Sequence, residues 1–111
     1  MVYDEELADR IRAIVAAERR VTEQRMFGGL SFLIGGNMAV AASGQGGLLL
    51  RVDPAEGARL VSRSEAEPMV MRGREMHGWL RIDEGVVRTR RQLERWVARG
   101  IDYARSLPAK R

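Results

Sequence analysis

The chain has 111 residues, enough for one domain around one core, with 45% hydrophobic and 31% charged residues, a globular balance too apolar for a disordered chain. It contains no cysteine, which excludes disulfides, thiolate nucleophiles, Cys-type zinc sites and iron–sulfur ligation together. The formal net charge of +4 is unevenly spread: from Arg72 onward 11 Lys/Arg stand against 5 Asp/Glu, and the part before it is slightly acidic.

The chain starts acidic and runs straight into a helical pattern, whereas a secretory signal needs a basic start and an apolar run. No apolar stretch approaches membrane-spanning length, so the expectation is a cytoplasmic protein with no membrane partner. Leu7, Ile11, Ile14 and Val15 recur at helical spacing. Asp4, Glu5 and Glu6 precede them and Arg19-Arg20 follow, the polarity that suits a helix dipole.

The pattern then changes to a strand, Arg25 to Ile34, bounded by the turn residues Gly35-Gly36-Asn37. Gly28 and Gly29 inside that run predict a bulge or a close backbone approach. A second strand is expected over Met38 to Ala42. The glycine-rich break Ser43 to Gly47 leads into a third, Leu48 to Val52. The glycines join strand to strand and not strand to helix, which favours hairpin turns over a phosphate-binding loop.

Asp53-Pro54-Ala55-Glu56 is a helix start: a capping carboxylate, proline at the first helical position, acid in the first turn, and Glu56 placed like the far end of a capping box. A short helix through Leu60 and Val61 follows. Met69 to Met71 and Met76 to Ile82 read as two further strands about a turn near Gly73. Thr89 and Gln92 form a capping-box pattern ahead of the apolar stripe Leu93, Trp96, Val97, Gly100, Ile101 and Ala104, a final helix that ends before Pro108. The order is α-βββ-α-ββ-α in a single domain spanning 1–111. Consecutive strands without helices between them predict an α+β fold, an antiparallel sheet with helices packed on it as a two-layer sandwich.

Candidate chemistry is sparse. His77 is the only histidine and sits mid-strand beside Trp79, without the second histidine or orienting carboxylate in sequence that a catalytic or metal role asks for. No catalytic residue, metal site or cofactor is therefore assigned. A small-ligand role around His77 and Trp79 is the third reading in order. On the last helix Arg88, Arg91, Arg95 and Arg99 fall within a sector of about 80° opposite the apolar stripe. Two readings of this arginine face stay open: the solvated side of an amphipathic helix, and a phosphate-binding surface for nucleic acid.

Strand alternation puts large apolar groups on both faces of the sheet, with Met76, Leu80 and Ile82 opposing His77, Trp79 and Arg81. Three helices covering one side of five strands would leave Phe27, Leu33, Leu49 and Trp79 as an exposed patch. That patch is the candidate interface of a twofold homodimer.

Met26-Phe27-Gly28-Gly29, followed at this spacing by Leu50-Arg51-Val52-Asp53, then Met76 to Ile82 and the ending Ile101 to Pro108, resembles the N-terminal domain of the TfoX/Sxy family over nearly the whole chain. The resemblance implies a fold similar to secretion chaperones, no catalytic residues, and a regulatory role. Longer relatives regulate natural competence and are thought to assist a cyclic-AMP-responsive transcription activator. A transcription-factor partner is accordingly what the resemblance implies; the longer relatives carry a second, helical domain after this one.

Overall fold

The computed structural model describes residues 3–26 and 28–110. Asp4 caps the first helix, α1 (Glu5–Val15), by accepting a hydrogen bond from the Leu7 N–H at 3.1 Å. Four strands follow: β1 (Val21–Met26), β2 (Gly29–Ile34), β3 (Asn37–Ala42) and β4 (Leu48–Arg51). The Asp53 carboxylate accepts from the Ala55 and Glu56 N–H groups and starts α2 (Pro54–Ser62). Then come β5 (Glu67–Met71), β6 (Arg74–Ile82), a single 3-10 turn (Glu84–Val86) and α3 (Arg90–Ser106). The reciprocal Thr89–Gln92 capping box closes the start of α3 at 3.1 and 3.0 Å.

All pairings are antiparallel, in the order β1-β2-β3-β4-β6-β5. The expected class and its alternation of helical and strand regions stand. The sheet has six strands rather than five, because Val21–Met26 pairs with β2 and the run from Arg25 to Ile34 reverses at Gly28. Gly29 also shows the close approach that its position predicts: a Cβ there would lie 2.1 Å from the Ala42 carbonyl oxygen.

The main core lies between the sheet and the helices. Phe32, Val40, Leu48, Leu50, Leu80 and Ile82 meet Ile11 and Val15 of α1 and Leu93, Val97 and Ile101 of α3. α3 lies across β3 and β4, α1 against β3 and α3, and α2 against β6. Gly100 is the contact that lets α3 settle: a Cβ on it would fall 2.3 Å from the Ala39 carbonyl oxygen. Ala39 is the extra residue of a bulge, since Phe32 faces Val40 while Leu33 faces Met38.

A second cluster, Leu33, Met38, Ala41, Leu49 and Met69 with Met26, Met76 and Trp79, alternates with the first along the strands and includes no described helical residue. It occupies the helix-free face. Met76 joins Trp79 there, contrary to the simple alternation. The register jumps from Pro68↔Leu80 to Met69↔Met76, and Gly78, at φ +83° with its carbonyl accepting from the Val52 N–H at 2.8 Å, absorbs the bulge that shifts parity.

Polar contacts tie the periphery. Arg12 holds Glu23 of β1 through two hydrogen bonds of 2.6 and 2.9 Å. These bonds keep the Glu23 carboxyl below the usual carboxylate range. The pair is exposed, so its contribution is small; it is present above the ordinary carboxylate pKa and fades as pH falls through the depressed one. The C-terminal segment folds back on the β2–β3 turn, the Lys110 N–H donating to the Gly35 carbonyl at 2.7 Å. No helix among the described residues is long and apolar enough to cross a membrane.

Candidate functional site

Of the four arginines expected on one face, three ride on α3 and Arg88 does not. Thr89 is the cap, so Arg88 precedes the helix, and its carbonyl accepts from the Arg10 Nη2 at 3.0 Å. Arg91, Arg95 and Arg99 follow one another at four-residue intervals, the spacing that stacks side chains along one side. Arg99 is committed: its guanidinium carbon lies 4.5 Å above the Trp96 ring and its Nε is 3.7 Å from a Glu56 oxygen. Glu56 thus reaches across to α3 instead of closing a box on its own helix. Arg90 pairs with Glu94 at 3.0 Å, and among the described residues no ion pair closes on Arg91 or Arg95.

Below these cations is a hollow of about 350 Å³, lined by Gln92, Arg95, Trp96 and Arg99 from α3, by Val86 from the 3-10 turn, and by Ser64 and Glu65 from the loop before β5. Val86 is 40% exposed, large for an aliphatic side chain beside a tryptophan. Sequence periodicity finds the helical wall but not Val86 or Glu65. These come from irregular segments whose place depends on how α2 and the 3-10 turn dock.

The helix-free face gathers Leu33, Leu49 and Trp79 as alternation predicts, but does not leave them open. Leu33 and Leu49 are only 8% and 3% exposed, shielded by Met38, Met69 and their neighbours, and Trp79 is half-buried. Phe27 lies outside the described residues. The Arg51 guanidinium stands 5.1 Å from the Trp79 ring and 5.6 Å from that of Tyr103, bridging the two aromatics. The Ser31 hydroxyl, on the same face by alternation, is fully buried and has no hydrogen-bond partner among the described residues. Solvent-facing apolar groups lie instead at the β5 edge: Val70 is 56% exposed and Met71 37%.

A second hollow, of about 260 Å³, lies between α2 and β6, lined by Gly57, Val61, Met76 and Leu80 together with His77 and Trp79. His77 itself is exposed, and no group of three or more His, Cys, Asp or Glu side chains among the described residues could hold a metal ion. The two groups whose pKa values are clearly shifted, Arg12 and Glu23, line none of these hollows.

Comparison with known proteins bears on this arrangement as a whole. The model of a family described as the TfoX N-terminal domain matches residues 13–104, from the middle of α1 to the last turns of α3. A search of curated proteins found no match to the chain.

Proposed function

The chain belongs to the TfoX N-terminal domain family, and from that membership we propose that it is a non-enzymatic regulatory module that works through protein contacts in transcriptional regulation. The observation that carries this reading is the placement of large apolar side chains in solvent at two separate places, the edge strand β5 and the 3-10 turn. Val70 and Met71 edge the helix-free face, and Val86 stands beside an arginine on the other side. Isolated exposed aliphatics are common, but exposed aliphatics next to a hollow with a cationic or apolar wall are the usual makings of a protein contact. His77 supports the non-enzymatic part, because it is exposed and no hydrogen bond among the described residues orients its ring for proton transfer.

Deletion of the gene in the native cell, with transcript profiling and complementation, tests this. The expected result is a defined set of altered transcripts, restored by the wild-type chain and equally by His77→Gln. An unchanged profile on deletion would remove the regulatory role. A failure of His77→Gln with an unchanged melting temperature would move the reading to the α2–β6 hollow and to chemistry at His77.

Direct nucleic-acid binding through Arg88, Arg91, Arg95 and Arg99 is the second reading, favoured by the exposure of Arg91 and Arg95. Three of these arginines, Arg88, Arg91 and Arg95, close no ion pair among the described residues and set its scale: the logarithm of duplex affinity should fall with the logarithm of salt at a slope of about −3, far shallower than that of proteins making six or more phosphate contacts.

Self-association belongs to the same proposal. The helix-free face, with its half-buried Trp79 and the exposed β5 edge, would be covered by a second copy in a twofold dimer. Light scattering after size exclusion at micromolar concentration should then give the mass of two chains. Trp79→Arg should return it to one. A single-chain mass for the wild type would eliminate the dimer.

A further inference from the structure

We infer that the hollow between α3, the 3-10 turn and the loop before β5 docks an acidic amphipathic segment of a partner protein; this rests on the protein-contact reading above and names the chemistry of the partner. The hollow combines two features seldom found together on a solvated helix face. Its apolar part is Val86, 40% exposed, with Trp96, 8% exposed, on the same lining. Its polar part is cationic: Arg95 without an ion pair among the described residues, and Arg99 held in place over Trp96 by stacking and by Glu56. Gln92 spends its Oε1 on the Thr89 N–H, which leaves its side-chain NH₂ as the donor it can offer to a carboxylate or a carbonyl. An incoming leucine or phenylalanine would cover Val86 and the Trp96 edge, while a carboxylate one helical turn away would meet Arg95.

Charge complementarity selects acid over other occupants. The acidic residue lining the hollow, Glu65, is paired with Arg63 at 3.8 Å, so the field at the opening is set by Arg95 and the neighbouring Arg91. A nucleic-acid backbone fits less well. It presents a continuous row of phosphates, whereas only Arg91 and Arg95 on this helix face stand without an ion pair among the described residues, and the apolar floor has no counterpart on a duplex. A volume of about 350 Å³ suits a few side chains of a peptide.

The probe is a fluorescein-labelled synthetic peptide alternating Glu with Leu around a central Phe, followed by fluorescence anisotropy against the whole chain. Its counterpart with every Glu replaced by Gln and a labelled DNA duplex of mixed sequence serve as comparisons. The acidic peptide should bind, and the Gln peptide should bind roughly tenfold or more weakly, the loss expected when a charge-assisted hydrogen bond is removed. Arg95→Glu and, separately, Val86→Asp should each weaken the acidic peptide by a similar factor, with melting temperatures within about 3 °C of wild type as surface changes allow. Equal affinity for the Glu and Gln peptides, or unchanged affinity in both variants, would overturn the inference. So would tighter binding of the duplex than of the peptide at physiological salt. Loss of peptide binding altogether, with the transcript response to gene deletion intact, discards this site and leaves the regulatory reading standing.

Discussion

Gly100→Ala is expected to destabilise the protein by about 3 kcal/mol, even though alanine is the better helix former by roughly 1 kcal/mol. The added methyl would sit 2.3 Å from the Ala39 carbonyl oxygen and 2.9 Å from Leu50 Cδ1. Leu50 can rotate; the Ala39 carbonyl belongs to the bulged backbone of β3 and cannot yield without disturbing the sheet. The helix must therefore lift, and lifting it loosens Leu93, Val97 and Ile101, all of which pack in the main core. Thermal unfolding should show the melting temperature lower by on the order of 10 °C. A variant as stable as wild type would mean that α3 does not lie this close to β3.

Phe32→Ala should cost more, about 4 kcal/mol, the range found when a buried aromatic leaves a cavity that its surroundings cannot collapse into. Phe32 is 0% exposed at the middle of β2, opposite Val40 of β3 and Glu23 of β1, with the Arg12 guanidinium 5.9 Å from its ring. A domain of this size has only about 5–15 kcal/mol in total, so the variant should be partly unfolded at body temperature or close to it. Leu33→Ala is the internal comparison. Leu33 is the next residue along, on the helix-free face, packed in the smaller cluster and 8% exposed. Its loss should cost about 2 kcal/mol, the low end for a leucine deletion. Chemical denaturation of the two variants separates the faces: equal costs would mean that the helix-free side is as fully packed as the helical one.

The contrast between these neighbours shows which parts of the structure are readable one residue at a time. Alternation places Phe32 and Leu33 on opposite faces, and it does so correctly because the register shift between them puts its extra residue, Ala39, on β3 and not on β2. The same rule fails for Met76. The bulge at Gly78 turns it over, and Gly78 there accepts a hydrogen bond from Val52, just past the end of β4 and far away in sequence. β1 was hidden for a related reason. Val21-Thr22-Glu23-Gln24-Arg25-Met26 has no apolar alternation, since four of its six residues are exposed, and it is a strand because β2 offers it an edge. Gly28 and Gly29 were visible as special positions, but a turn and a bulge ask for the same residue.

For the candidate sites the division is similar. The stripe on α3 and the arginines opposite it follow from spacing alone. Continuing the helical wheel back to Arg88 overlooked that Thr89, by capping, ends the periodicity just before it. Counting helices against strands predicts the exposed patch, but that count misses how Met38 and Met69 cluster with Leu33 and Leu49 and leave them buried.

By itself, then, the sequence determined the α+β class, the three helices with their caps, and the apolar positions of the main core, because each of these signals is carried by residues within a turn or two of one another. Tertiary structure alone decided the sixth strand, the parity of Met76, the burial of Leu33 and Leu49, and the hollow in which Val86 and Arg95 meet. Each of those depends on a contact between segments distant in the chain, such as Val52 with Gly78 or the loop before β5 with α3. Such contacts are settled by packing and backbone hydrogen bonding, whose geometry no local pattern encodes.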